Sequence, residues 1–600
     1  MANTVSKSNV SVAAVKKRNH ALPQKHVTTA SFMNFDVTCA RELVPGTHLV
    51  DNHRAFIRTD PLRNPCLGSL KVHSRAFFVP FRTVWQSFNS FINDVPFNSG
   101  ESVGLIPNVP TLDVEELTKF FTGNGNSVIV EDPNSSYDYE YDNVRYRFTA
   151  KGRWNYKFMK SLGYNWWPYY YQVGDVVPRF SALPLLCALK VYLDYYFPDA
   201  YAHTQEYIDA EKFTRRQGTF VLMSNDINLI LYVVRYVCYE PSVFTTAWDR
   251  PVGPNSDAGS LDFVLPDVTR TFPIVVGNTS YTLSGVSQDD NGTPSPFIYR
   301  PGAPSTNANH VTSQYVVDGL KALTDYVKRH QLAGSRVLQR ALAAFGVTLS
   351  VEKLNRCVYL GSDDFPIQIG DVMSTAETSE ASLGAYAGKA VGVSNGHQFE
   401  CDTDEFGYYL VITSIVPDVA YVEGYDYNTT HISKLDFFTP EFDMLGVRMM
   451  ERGEVIGGLR VGTPANSWQL VKQRFGFVPR YAEYRYGRDC LTGDFVVPSF
   501  SKSLDGWYTA RDLYLGGGTG DYWLTNHSYP FMLGEDSGQF MRLFGIDADN
   551  IDDYADPFYC VHSDDIMITS PMKHLYDSYE FENEDESHRT VQLDAGSRLN

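Results

Sequence analysis

The sequence predicts a mainly β fold with inserted helices and long loops, and three features carry that reading. In residues 68–80, Leu70, Val72, Ser74, Ala76 and Phe78 alternate with Lys71, His73, Arg75 and Phe77. A period of two marks a strand with one buried face. Residues 406–417, FGYYLVITSIVP, form an apolar, β-branched run, the pattern of a strand buried on both faces. Tyrosine (39) and phenylalanine (37) abound while charged residues make up only 20%, which suits β-rich structure with broad aromatic contact surfaces and argues against disorder.

The chain has 600 residues, enough for several ordinary domains, yet a large β fold with long insertions forms one unit at this size. A net charge of −19 makes it a poor general binder of nucleic acid, so any DNA contact needs a local basic patch. The eight cysteines are scattered and none forms a CxxC pair. They read as buried thiols rather than metal ligands or a disulfide frame. The N-terminus lacks the apolar core of a signal peptide, and no run reaches the roughly 18 apolar residues of a membrane span. The expectation is a soluble protein made in a reducing cytoplasm.

Residues 1–35 contain no acidic residue and carry Lys7, Lys16, Lys17, Arg18 and Lys25. This reads either as a mobile basic arm that neutralises phosphates or as a solvated terminus. The strand over 70–80 should stop at Pro80, which cannot donate to a ladder. Val84, Trp85, Phe88, Phe91 and Ile92 then line one face of a helix. Residues 95–177 hold Gly, Asn, Asp and a dense Tyr/Trp run without clean period, as expected of an elaborated loop insertion with short strands. Its aromatics are either a stacking surface for glycans or bases or packing against the core. Residues 181–197, SALPLLCALKVYLDYYF, predict a helix with Pro184 in its first turn and Leu185, Leu189, Tyr192 and Tyr196 on one face. Residues 229–239 fit a strand or a buried helix. Residues 252–310 are rich in Gly, Ser, Asn, Thr and Pro, the composition of an excursion from a compact body. Residues 311–345 predict helix interrupted at Gly334, and 577–600 an acidic tail.

The run FFVPFRTVWQSFNSFI resembles the FFVPNRLVW..W..F signature of microvirus major capsid proteins, the gokushovirus-like group especially. Further blocks follow in that family's order. Residues 26–49 are similar to its opening strand and PGD turn, with Thr47 in place of Asp. Phe244 to Trp248 with Pro251 fit its FTSALPWPQKG. Arg336 and Phe345-Gly346-Val347 fit a helix whose Glu is absent here. Residues 367–392, 406–417 and 436–446 match PI.I..V.QTS, HGYI.G..S.VP and D...PEF..LG. The most specific block is RYAEYRYGRDCLTGDFVVPSFSKSLDGWYTAR at 480–511, where Tyr481, Glu483, Arg485, Tyr486, Thr492, Gly493, Ser503, Asp505 and Trp507 agree and Tyr508 replaces a His. Residues 556–572 resemble the closing strand, with Ser570 for Arg.

The resemblance implies a single viral jelly roll, an eight-stranded antiparallel β-sandwich, spanning 36–600 with insertions at about 95–177 and 252–310. It implies a major capsid protein whose copies form a T=1 icosahedral shell around circular single-stranded DNA and attach to a bacterial host. Its partners would be itself, the genome, small basic DNA-binding, internal scaffolding and pilot proteins, and a host receptor, with no membrane. It would reside in the virion, and in the host cytoplasm during assembly. Lys7, Lys16, Lys17, Arg18 and Lys25 would meet DNA on the inner surface, and 252–310 would protrude. Trp85, Tyr481, Glu483, Arg485, Tyr486, Asp505 and Trp507 become assembly candidates, the charged ones as buried or interface ion pairs.

Such work needs no catalytic residue and no cofactor. Asp363-Asp364, Asp402-Asp404-Glu405 and Asp547-Asp549-Asp552-Asp553 are the carboxylate clusters. Asp547, Asp549, Asp552 and Asp553 are a weak calcium candidate, lacking the Gly and terminal Glu of an EF-hand loop. No GxSxG, HExxH or phosphate-binding loop occurs, and His73 and His562 read as structural. The alternatives are a β-rich carbohydrate-active enzyme, which needs two poised carboxylates, and a receptor-binding spike, which would show repeats.

Overall fold

The computed structural model describes residues 17–99, 102–122, 128–130, 139–141, 144–164, 179–197, 205–247, 274–276, 279–281, 355–370, 388–418, 420–421, 424–432, 434, 436–443, 447–455, 472, 474–487, 491–495, 504–511, 540–546 and 554–572. Nine strands make the main sheet: β1 (Arg18–Ala30), β2 (Asp36–Leu43), β3 (Thr47–Thr59), β4 (Leu70–Pro80), β5 (Val358–Gly370), β6 (Lys389–Val393), β7 (His397–Thr403), β8 (Gly407–Pro417) and β9 (Phe558–Ser570). Their order is β1-β9-β3-β6-β5-β4-β8-β2, with β7 also on β3, and every pairing is antiparallel.

The chain is therefore folded back on itself and rolled. β1 pairs β9, β2 pairs β8, β3 pairs β6 and β7, and β4 pairs β5. That nesting is jelly-roll connectivity. The end strands β1 and β2 come together where His26 Nδ1 lies 2.7 Å from the Thr38 carbonyl and Arg41 reaches Gln24 at 3.5 Å, so the sheet nearly closes.

The strands predicted from sequence are present. β4 ends at Pro80, β8 is buried on both faces, and the closing strand is β9. Residues 18–30, expected as part of an irregular basic arm, instead form β1, paired along its full length with β9. Pro23 is tolerated there because β1 is an end strand. Lys17, Arg18 and Lys25 are exposed along it, while Lys7 and Lys16 lie outside the described residues.

Helices occupy the long connection from β4 to β5. The single helix expected over 84–92 is two short ones, α1 (Phe81–Val84) and α2 (Phe88–Ile92). The break is a clamp on Gly218. Trp85 leaves helical geometry and its Nε1 donates to the Gly218 carbonyl at 2.9 Å, while Gly218 N–H donates to Ser87 Oγ at 2.9 Å. Trp85 is fully buried and packs on Phe88 and Phe91. Trp85→Ala is expected to cost about 3–5 kcal/mol in chemical denaturation, the usual range for emptying a large aromatic site.

The 95–177 region has short strands as expected but also two helices that sequence periodicity missed, α3 (Val114–Thr122) and α4 (Ala150–Ser161). Thr149 Oγ1 caps α4 by accepting from Gly152 N–H at 3.0 Å, and Trp154, Phe158 and Met159 turn into the core. Trp166, Trp167, Tyr169, Tyr170 and Tyr171 of the aromatic run lie outside the described residues. The expected helix at 181–197 is α5 (Leu183–Val191), buried on every side and continued by a π-helical turn at Tyr192–Tyr196. After α6 (Gln205–Thr214), the ambiguous 229–239 stretch proves helical at its start, as α7 (Ser224–Val234). The expected helix at 311–345 lies outside the described residues, as does most of 252–310, of which Ile274–Val276 pairs with Thr279–Tyr281.

The interior of the roll is layered. The inward faces of β3, β4, β8 and β9 run from one apolar cluster, through polar residues, to another. On β4 the sequence is Leu70 and Val72, then Ser74, then Ala76 and Phe78; on β8 it is Ile415, then Thr413, then Val411 and Tyr409. On β3 it is Ile57 and Ala55, then His53 and Asp51, then Leu49; on β9 it is Cys560, then His562 and Asp564, then Ile566 and Ile568. Ser74, Thr413 and Thr38 are hydrogen-bonded across strands β4, β8 and β2. A polar belt thus crosses the barrel core.

Candidate functional site

The block at 480–511 belongs to a satellite unit built on the connection from β8 to β9. Strand Val447–Glu451 pairs antiparallel with Arg474–Pro479, and a 3-10 turn at Ala482–Tyr484 follows, entered through Tyr481 in a left-handed conformation at φ 61°. Phe244, Ala247, Met450, Val455, Val478 and Ala482 form its small core.

An ion network sits beside that core. Arg448 donates to both Glu454 oxygens at 2.6 and 3.1 Å, and its Nε stands 3.2 Å from Glu483 Oε2. Its guanidinium carbon lies 3.6 Å from the Tyr427 ring centroid, a close cation–π contact. The arginine and both glutamates are buried. Burial raises the Glu454 carboxyl above its ordinary value although Arg448 pulls the other way.

Of the residues singled out in sequence, Tyr481 and Glu483 are buried in this unit. Glu483 meets Arg448, not Arg485. Arg485 instead donates to both Asp443 oxygens at 2.6 and 2.8 Å on the half-exposed surface. Tyr486 packs edge-on against Phe244 at 5.9 Å. Asp505 opens the 3-10 turn Asp505–Trp507, and its side chain is outside what the structure describes. The Trp507 carbonyl accepts from Leu67 N–H at 2.8 Å, and Thr509 Oγ1 donates to the Asp418 carbonyl at 2.5 Å, which ties this turn to the neighbouring ends of β4 and β8. Trp85 faces its own chain's core, away from any surface. Sequence reasoning missed Arg448 and Glu454, which stand outside the motif blocks.

Above the network lies an exposed apolar patch. Ile432 is 91% exposed, Phe437 54%, Tyr484 50% and Phe438 45%. Phe438 contacts Tyr481 and Tyr484 at 5.1 and 5.9 Å, and His431 stacks on Tyr484 at 6.0 Å. Grouped exposed aromatics over a rigid base mark an interaction surface.

The carboxylate clusters are engaged by local partners. Asp364 meets His73 at 2.7 Å, Asp402 meets His48 at 2.8 Å, Glu405 meets Arg82 at 2.6 Å, and Asp363 accepts from Ser394. Asp547, Asp549, Asp552 and Asp553 lie outside the described residues.

A jelly roll with an aromatic surface patch fits many proteins, and comparison narrows them. A family model described as capsid protein (F protein) matches residues 8–114 and 250–517, more than half of the chain. The chain belongs to this phage capsid family. Capsid protein VP1 of Chlamydia phage 1 is 25% identical over 191 residues, 32% of this chain and 32% of the relative. Capsid protein VP1 of Bdellovibrio phage phiMH2K is 27% identical over 182 residues, 30% of this chain and 32% of the relative. The aligned stretch spans about a third of the length of either relative. The capsid family model covers the 480–511 block and the satellite network around it, as well as the first four strands of the roll.

Proposed function

We propose that this capsid-family protein is a structural major capsid protein whose copies assemble into a small icosahedral shell around circular single-stranded DNA and present a host-attachment surface. The observation that carries the assembly step is the exposed patch of Ile432, Phe437, Phe438 and Tyr484 on a base stiffened by the Arg448 network. An apolar patch of this kind is costly on a free monomer and is covered when a second copy docks. Lys17, Arg18 and Lys25 on the exposed edge of β1, with Lys7 and Lys16 before it, form the basic segment that would meet the genome. Residues 252–310 would protrude outward. Scaffolding, pilot and small DNA-binding proteins, and a bacterial receptor, complete the partners this role requires, with assembly in the host cytoplasm.

The test is particle formation. Phe437→Ser with Phe438→Ser is expected to abolish shells seen by electron microscopy while leaving the monomer's thermal midpoint within a few degrees. Arg485→Ala, which frees Asp443 at the patch margin, is expected to weaken assembly less. Shells of wild-type yield from the double variant would remove this patch from the assembly surface.

A further inference from the structure

The polar belt inside the roll holds a cluster that shell building does not use. β3 brings Asp51 and His53, and β9 brings His562 and Asp564, with His53 directly opposite Asp564 in the ladder. None of the four is more than 1% exposed. His53 Nδ1 lies 2.6 Å from Asp564 Oδ1, and the Tyr409 hydroxyl donates to Asp51 Oδ2 at 2.6 Å. The His562 ring stacks on the His53 ring at 5.7 Å.

These bonds leave one atom of each residue with no partner: Asp51 Oδ1, His53 Nε2, His562 Nδ1 and Asp564 Oδ2. Among the described residues no lysine or arginine forms an ion pair with either carboxylate. Two carboxylates buried together with no lysine or arginine beside them are unfavourable. Among the described residues, Glu454 and Glu483 are met by Arg448, Asp36 by Lys157 and Asp194 by Lys190, whereas Asp51 and Asp564 have only imidazole and hydroxyl partners.

One donor atom each from Asp51, His53 and Asp564 lie within 4.8 Å of one another. We propose that this cluster is a buried divalent metal site, of the zinc class, ligated by Asp51, His53 and Asp564, with the His562 ring stacked alongside. Mixed imidazole and carboxylate donors in a small cage suit Zn²⁺, whereas Ca²⁺ would need six to eight oxygens. Donors about 2.1 Å from a tetrahedral ion sit about 3.4 Å apart, inside the 4.8 Å that bounds these three donor atoms. The ion would staple β3 to β9, joining segments 511 residues apart in sequence at the centre of the barrel.

The experiment uses the full-length protein, stripped with a chelator, reloaded with Zn²⁺, desalted and assayed by elemental analysis and thermal unfolding. The expected result is one zinc retained per chain and a midpoint that falls when the chelator is added. Asp51→Asn and Asp564→Asn are expected to lose the retained zinc and the chelator response together. His48→Asn, which removes the surface His48–Asp402 pair, is expected to keep both. If the asparagine variants fail to fold, Co²⁺ in the wild-type chain supplies a second readout, with visible absorption of a tetrahedral nitrogen–oxygen site expected. Less than a tenth of a zinc per chain with an unchanged midpoint, or zinc that is lost with His48, overturns the proposal.

Discussion

Arg448→Ala is expected to destabilise the satellite unit by about 3–5 kcal/mol, the range for stripping a partner from buried charge. The arginine side chain is 8% exposed and the Glu454 and Glu483 side chains 2% each. With the guanidinium gone, two carboxylates stay behind in a site that already raises Glu454 by burial. The two links differ in kind. Glu454 takes two well-formed hydrogen bonds, whereas Nε of Arg448 faces Glu483 at 3.2 Å outside hydrogen-bond geometry, so that contact is coulombic. Glu454→Gln leaves Glu483 on the arginine and is expected to cost less. Hydrogen exchange over residues 424–487 would read the local loss directly. Because the patch of Phe437, Phe438 and Tyr484 rests on this unit, Arg448→Ala should also abolish shells. A loss below about 1 kcal/mol, the level of a surface pair, would show that the network is solvated in solution.

Lys157→Met is expected to cost about 3–5 kcal/mol at neutral pH for the same reason. Lys157, on α4, donates to the Thr29 carbonyl at 2.8 Å and stands 3.2 Å from Asp36 and 3.4 Å from Asp556. It thereby joins the inserted helix to the end of β1, the start of β2 and the lead into β9. Burial alone would raise the Asp556 carboxyl, but Lys157 and the Thr29 hydroxyl bring it below its ordinary value. Stability from Asp556 is therefore fully present above the unfolded carboxyl value, about 4, and is lost as pH falls through the lower folded value. Methionine keeps the packing and removes the charge, leaving Asp36 and Asp556 to repel each other. At least one carboxyl then titrates above its unfolded value, so the variant is stabilised as the pH is lowered. The deficit should be greatest near pH 7 and shrink toward pH 4 to 5 in urea unfolding followed by fluorescence. A deficit that is flat with pH would assign the loss to packing instead.

Much of the roll was legible in the sequence because its signals are local. Alternation set β4, Pro80 ended it, the β-branched run set β8, and the apolar stripe with Pro184 set α5. Motif order pointed to the capsid family across the same elements. The misses have physical causes. β1 carries no strong period of its own and is a strand because thirteen residues of β9 pair with it. The helix over 84–92 breaks because Gly218, far along the chain, holds Trp85 and Ser87. α4 hides among aromatics whose burial depends on what covers them.

The functional side chains divide along the same line. The motif block named Tyr481, Glu483 and Arg485 but not their partners, since Arg448 and Asp443 reach them only through folding. In β3, Asp51 and His53 interrupt the hydrophobic alternation. Only the pairing of β9 with β3 sets Asp564 and His562 beside them and makes that interruption a polar belt. Sequence by itself determined strands β4, β8 and β9 and which family they serve, because hydrophobic period and motif order are written in neighbouring residues. The tertiary structure alone decided where charge is buried and which aromatics stay outside, because those depend on pairings across hundreds of residues whose cost and gain exist only once the two halves of the chain have closed on each other.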